Sequence, residues 1–501
     1  MRHTLYTLPL TNSFVSLGDA FFSRVKPTPF ESEPTLIHFN SQAAELLDLD
    51  SNVQLDAASE ADLAEVFSGK QSLPNAEPIA MLYAGHQFGH YVPQLGDGRA
   101  IILGETTNQR GERWEIQLKG SGLTPYSRDG DGRAVLRSTI REYLCSEAMH
   151  ALGIPTTRAL CIVGSNDEVY RERIEPGAML TRLSPSHVRF GSFEVFYYRN
   201  QFEHIRELAD FVLTHHFTEL LEKQDRYAAW LEAVIERTAS LIAQWQAVGF
   251  SHGVMNSDNM SILGLTIDYG PYGFMEAYDP GYICNHSDYH GRYAFDQQPS
   301  IGLFNLSCFA QAILPLLSDE PEQAVEIARE KLARYQPRYI HHYSTRMRAK
   351  LGLRENKEED ETLTRDLLAL MAADKVDFTI LFRRLAEFSS QNTASNTSIR
   401  DLFLQREAFD QWANRYTQRL VSENSNDNAR RKAMQRINPK FVLRNYMAEI
   451  AIRKAEDEKD YSELDRLYKL LQQPYDEHPA EEHYAGFPPD WAGNISVSCS
   501  S

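Results

Sequence analysis

The sequence of 501 residues predicts an α+β fold, in which a β-rich lobe precedes a helical lobe and a cleft lies between them. From about 81 to 185, short apolar runs alternate with glycine-containing turns, as strands and hairpins require. One helix interrupts these strands, because apolar residues recur every four positions from Leu136 to Ala148. After about residue 200, apolar residues between Leu231 and Trp245 follow the spacing of a buried helix face, and that helix should end at Gly249.

Composition narrows the classes of function. Lys and Arg total 51 against 69 Asp and Glu, which gives a net charge of −18. A chain this acidic lacks the positive surface of a duplex-binding protein, so nucleic acid is not expected as a partner. The five cysteines are too scattered for a disulfide-built scaffold, and no apolar run is long enough for a membrane span. These features, with an N-terminus that lacks the apolar block of a signal peptide, predict a cytoplasmic protein with no membrane partner.

The peptide Gly-Asp-Gly-Arg-Ala occurs twice, at 96–100 and 130–134. Closely spaced glycines let backbone N–H groups turn toward an anion, and Arg99 and Arg133 add positive charge. The repeat therefore fits a phosphate-binding role, although two tight turns with solvated charges would look the same.

Lys119 ends an apolar strand, and the helix that follows offers Glu142 on a face that could meet it. Protein kinases use such a lysine to hold nucleotide phosphates and such a glutamate to hold the lysine. A strand-end lysine is also commonly just exposed, so the pair needs support from elsewhere.

That support comes from residues 252–259 and from Asp268-Tyr269-Gly270, which follow the order of the kinase catalytic loop and its metal-binding Asp-Phe-Gly. Val254 stands where the kinase catalytic aspartate belongs, and valine cannot accept a proton. Asn259 and Asp268 keep the oxygen ligands that Mg²⁺ needs, and Asp258 offers a displaced carboxylate. The alternative is structural, with Asp258 capping a helix and Asp268 in a turn.

Together these motifs predict a protein-kinase-like, two-lobed fold with additions at both ends. Three classes of function remain open: an AMP-transferring enzyme, a phosphate-transferring kinase-like enzyme and a non-catalytic pseudokinase scaffold. The predicted segments are an N-terminal leader (1–80), a nucleotide-binding N-lobe (81–185), a catalytic C-lobe (186–345), a helical extension (346–486) and a C-terminal tail with Cys499 (487–501).

Longer stretches carry a family resemblance, namely Tyr83 to Gly89, Lys119 to Arg128, His252 to Met260 and the terminal Ser498 to Ser501. Over nearly its whole length the sequence resembles the selenoprotein O family, protein adenylyltransferases with a kinase-like fold. The resemblance implies that ATP binds in a flipped orientation and that AMP passes to Ser, Thr or Tyr hydroxyls of proteins, this chain itself included.

The resemblance also assigns roles to residues. Asp258 would accept the hydroxyl proton, and Asn259 and Asp268 would hold Mg²⁺, with Mn²⁺ as the alternative. The kinase-like motif gives Glu142 the role of supporting Lys119. The residues that would bind ATP are Gly96, Gly98, Arg99, Lys119, Asp131, Gly132, Arg182, Arg189 and Asp268.

The cysteines allow ten pairings, and the sequence alone does not choose among them. Selenocysteine-bearing members of the family carry that residue near the C-terminus, where this chain has Cys499. The resemblance favours a regulatory disulfide between Cys499 and Cys284, which lies 16 residues after Asp268.

Overall fold

The computed structural model describes residues 3–50 and 57–498 of the chain. Its centre is an antiparallel sheet of eight strands in the order β1-β3-β6-β7-β10-β9-β2, with the short β8 paired to β10. The strands of this sheet are β1 Phe22–Arg24, β2 Thr35–Phe39, β3 Ile79–Met81, β6 Ala100–Thr107, β7 Arg113–Lys119, β8 Ala134–Val135, β9 Arg158–Tyr170 and β10 Ile174–Ser184. Two separate hairpins are formed by β4 Gly85–Gln87 with β5 His90–Val92, and by β11 Phe250–Ser251 with β12 Gly273–Phe274.

The helices complete an α+β fold, as the sequence predicts. The α-helices are α1 Ser41–Ala44, α2 Ala57–Phe67, α3 Leu136–Ala151, α4 Gly191–Tyr198, α5 Phe202–His216, α6 Arg226–Val248, α7 Gln298–Ala312, α8 Leu314–Leu317, α9 Pro321–Leu332, α10 Tyr335–Lys350, α11 Glu359–Asp374, α12 Phe378–Leu385, α13 Thr397–Arg400, α14 Arg406–Val421, α15 Asp427–Gln435, α16 Asn445–Arg453 and α17 Ser462–Leu471.

The register of the central strands positions the polar residues of the site. In the pairing of β6 with β7, Ala100 faces Lys119, so the first glycine repeat ends beside that lysine. In the pairing of β7 with β10, Gln117 faces Arg182. Two strands of the predicted leader, β1 and β2, join this same sheet, where they pair with β3 and β9.

Helix α3 is buried on most of its surface, and this explains its apolar periodicity. It packs on β9 and β10 on one side and on α16 and α17 on the other. Arg141 of α3 donates to the Tyr272 carbonyl at 2.9 Å, and the Tyr272 hydroxyl donates to the Arg141 carbonyl at 2.7 Å. Helix α3 is therefore fixed both to the sheet and to the segment that follows Asp268.

The long helix α6 ends as the sequence predicts, because Gly249 takes the left-handed conformation with φ 75° directly after Val248. The C-terminal helices around Trp412 and Tyr416 form a second apolar core. Within the described ranges, no helix is long and apolar enough to cross a membrane.

Candidate functional site

One buried carboxylate joins two cations on neighbouring strands. Glu142 of α3 forms an ion pair with Lys119 at the end of β7, and its other oxygen accepts from Arg182 Nε at 2.5 Å. All three side chains are at most one-tenth exposed. The structure thus places Lys119 against Glu142 and adds Arg182 to the pair, since β7 and β10 are adjacent.

Asp268 receives two guanidinium groups. Arg182 Nη1 lies 3.0 Å from Asp268 Oδ1, and Arg189 Nη1 donates to Asp268 Oδ2 at 2.6 Å. Although burial alone would raise it, the cations of Arg189, Arg182 and Lys119 hold the pKa of Asp268 well below its ordinary value. Asp268 is therefore ionised, and it takes the left-handed conformation with φ 58°.

Asn259 and Asp268 form an oxygen-rich pair suited to a hard cation. Asn259 Nδ2 donates to Asp268 Oδ2 at 3.0 Å, while the buried Asn259 Oδ1 has no hydrogen-bond partner among the described residues. A carboxylate next to an unpaired amide oxygen matches the ligands that Mg²⁺ takes in proteins. The residues present therefore fit the metal that the resemblance implies.

Asp258 lies beside this pair but in a different environment. Its side chain is only 6% exposed, and burial raises its pKa to about 7, against the lowering effect of a hydrogen bond from Gln87. The Asp258 carbonyl accepts from Arg189 Nη1 at 2.8 Å. Two neighbouring aspartates thus differ in charge behaviour, the pattern expected when one is a proton acceptor and the other an electrostatic ligand.

The glycine repeats form two turns that the loop 120–127 holds together. The Ser127 hydroxyl donates to the Gly98 carbonyl at 2.5 Å, and Gly122 N donates to the Gly132 carbonyl at 3.0 Å. A Cβ at Gly132 would lie 2.1 Å from the Gly122 carbonyl oxygen, and Gly132 has φ 70°. Only glycine fits there, whatever the turn binds.

Two charged residues of the repeats, Arg99 and Asp131, are exposed, whereas Asp97 is buried. Burial lowers the pKa of Lys119 to about 8, although the charge of Glu142 acts to raise it. The positive charges of Arg182 and Arg99 also lower the pKa of Lys119. Asp131 is exposed and accepts from Arg171 Nη1 at 2.7 Å. Asp131 is thus paired with Arg171, which no sequence motif indicates.

Three residues of the site were not given a role from the sequence. Gln87 contacts Asp258, Gln117 accepts from Arg182 Nη1 at 3.2 Å, and the Tyr83 ring lies 4.6 Å from the Arg189 guanidinium. Tyr83 and Gln87 belong to the stretch Tyr83 to Gly89, which carries the family resemblance and could have pointed to both residues. Gln117 had none beyond its place two residues before Lys119.

The two cysteines of the predicted disulfide are only partly described. Cys284 is buried, and its Sγ lies 3.4 Å from the Ser251 hydroxyl. Cys499 lies outside the described residues, so the pairing stays a prediction. The described tail does reach this region, because the Val497 carbonyl accepts from His286 N at 3.0 Å.

Comparison with known proteins gives a consistent result. The family model described as protein adenylyltransferase SelO matches residues 4–472. The chain is similar to the protein nucleotidyltransferase YdiU of Thiobacillus denitrificans, with 56% identity over 99% of this chain and 100% of the relative. It is also similar to the YdiU proteins of Thioalkalivibrio sulfidiphilus, at 55% identity over the full length of both chains, and Myxococcus xanthus, at 54% over 99% of this chain and 100% of the relative.

The shared carboxylate generates a stability prediction. Glu142→Ala leaves Lys119 and Arg182 buried without their common partner, and breaking such a buried pair costs about 3–5 kcal/mol. Thermal unfolding of the variant should therefore show a midpoint several degrees below that of the unmodified chain. As a control, Glu330→Ala removes an exposed partner of Arg334, a contact worth about 1 kcal/mol or less. Equal midpoints for the two variants would contradict a central role for Glu142.

Proposed function

Since this chain belongs to the protein adenylyltransferase SelO family and is a protein nucleotidyltransferase, we propose that it transfers AMP from ATP to Ser, Thr or Tyr hydroxyls of proteins. The predictions of family and enzyme class are confirmed, and a purely non-catalytic scaffold is set aside. The finer proposal is that ATP binds in the flipped orientation, with its α-phosphate toward the acceptor.

One observation carries this proposal. Val254 occupies the position of the kinase catalytic base, while the buried carboxylate of Asp258 lies four residues later, beside Asn259. A reaction centre near Asp258 rather than residue 254 is consistent with attack on a different phosphate. We propose a kinase-like arrangement of two lobes around this centre, on the basis of the motif order and the Lys119 to Glu142 pair.

The triphosphate would meet a preformed group of cations. Lys119, Arg182 and Arg189 converge on Glu142 and Asp268, so the cations are already positioned before any ligand binds. Positioned cations stabilise charge that develops on transferring phosphoryl groups. The remaining proposed contacts to ATP are Gly96, Gly98, Arg99, Asp131, Gly132 and Asp268.

A divalent cation, Mg²⁺ or Mn²⁺, would be held by Asn259 Oδ1 and Asp268, and it would neutralise phosphate charge when bound. The chain's own step is proton transfer. Asp258 takes the proton of the acceptor hydroxyl as that oxygen bonds to the α-phosphorus. The bond from the α-phosphorus to the oxygen bridging to the β-phosphate breaks, and pyrophosphate leaves.

The proposed partners are ATP and proteins with accessible hydroxyls, with self-modification as one case. The cytoplasm remains the proposed compartment on the grounds of cysteine usage.

Parallel reactions with ATP labelled at the α- or the γ-phosphate test the proposal. We expect the α-label and an added mass of AMP on the protein product, measured by intact mass spectrometry. Transfer of the γ-label alone would show phosphate transfer and contradict the proposal.

In the same assay, Asp258→Asn should slow transfer by about 10² or more while ATP affinity stays within a few fold, as expected for a lost general base.

A second proposal concerns redox control by a disulfide between Cys284 and Cys499. The hydrogen bond from His286 to Val497 supports it, because it places the described end of the tail beside the Cys284 segment. The disulfide would hold the Cys284 segment against the tail and restrict the access of protein substrates.

After oxidation with glutathione disulfide, which accepts the two electrons, we expect low transfer to a protein substrate and recovery on reduction. Cys499→Ala should stay active under oxidising conditions, whereas Cys161→Ala, which alters a cysteine of β9, should behave like the unmodified chain. Non-reducing peptide mapping identifies the bond directly. Free thiols at both positions after oxidation would refute the proposal.

A further inference from the structure

The hairpin of β4 and β5 packs directly on the segment that contains Asp258. His86 N donates to the Ser257 hydroxyl at 2.7 Å, and Phe88 N donates to Asn256 Oδ1 at 3.2 Å. The turn between the strands is tight, since Phe88 and Gly89 both have positive φ, at 49° and 85°. A bulky residue with positive φ is uncommon and requires strong support from its surroundings.

Buried contacts outside the turn hold the hairpin in place. His86 Nδ1 lies 2.5 Å from Glu194 Oε2, and the Glu194 side chain is wholly buried in α4. Tyr91 of β5 contacts the Tyr198 ring, with the ring centroids 3.9 Å apart. The hairpin is therefore a fixed element, and residues on it have defined positions relative to Asp258.

Two hairpin residues touch the Asp258 carboxylate. Gln87 Nε2 donates to Asp258 Oδ2 at 3.2 Å. The other oxygen, Oδ1, is buried and has no hydrogen-bond partner among the described residues. Gly85 lies so close that a Cβ there would be 2.6 Å from Oδ1, so only glycine leaves that oxygen its space.

We propose that Gln87 is a positioning residue for the transfer reaction. Its amide holds Asp258 Oδ2 and thereby fixes the rotation of the carboxylate that takes the proton of the acceptor hydroxyl. Gln87 acts through Asp258 and does not itself contact the reacting atoms. This inference rests on the proposed role of Asp258 as the proton acceptor.

The test is Gln87→Met, which keeps the length of the side chain and removes the N–H donor. A hydrogen bond to a charged group corresponds to about a ten- to hundredfold effect, so we expect kcat to fall by that factor. The KM for ATP and the thermal midpoint should change little, because ATP contacts and packing are retained. Gln94→Ala is the matched control, since Gln94 follows the same hairpin and contacts Arg199 instead.

A double-mutant cycle separates positioning from an independent role. In the Asp258→Asn background, Gln87→Met should cause no further loss of kcat, because its effect passes through the carboxylate. Gly85→Ala should lower kcat as well, because the added methyl displaces Oδ1. A crystal structure of the Gln87→Met variant should show a rotated Asp258 side chain.

Three results would overturn the inference: an unchanged kcat, a rise in KM with kcat unchanged, or a full additional loss in the Asp258→Asn background. An unrotated Asp258 in the variant structure would also contradict it, independently of activity. Rates are followed with both α- and γ-labelled ATP. Failure of AMP transfer as the reaction is therefore seen in the unmodified chain, separately from failure of the Gln87 role.

Discussion

The site depends on one charge chain, a line of alternating charges that runs from Glu142 through Arg182 and Asp268 to Arg189. The side chain of Asp268 is one-fifth exposed, and the other three are buried. These residues come from α3, β10, the segment after β11 and the connection to α4. Burying charges is costly unless each is paired, so none of these elements can move alone without leaving a charge uncompensated. This charge chain thus couples the sheet to the helical part of the protein.

This arrangement explains the difference between the two aspartates. Asp268 is surrounded by cations, which keep it ionised and suited to a metal. Asp258 is nearby, but burial raises the pKa of its carboxyl, and its carboxylate accepts a hydrogen bond from the neutral Gln87 amide. In the proposed mechanism, Asp268 is the electrostatic ligand and Asp258 the proton acceptor, so no carboxylate is needed at Val254.

Local patterns predicted much of the fold, including α3, the end of α6 at Gly249 and the strand that ends at Lys119. The contact between Lys119 and Glu142 was predicted because kinases pair a strand lysine with a glutamate of the helix that follows. The joining of β1 and β2 to the central sheet was not, since those pairings are distant in sequence. Likewise, no local pattern predicts that the hairpin of β4 and β5 packs over Asp258, because the two segments are distant in sequence. Gln87 does lie in a stretch that carries the family resemblance.

The central claim is that this charge chain presents the α-phosphate to Asp258. A crystal structure with a non-hydrolysable ATP analogue and Mg²⁺ tests it most directly, through the distances from the Asp258 carboxylate to the three phosphorus atoms. The account predicts that the α-phosphorus is nearest, with the Lys119 to Glu142 pair retained. A γ-phosphorus nearest to Asp258 would contradict it.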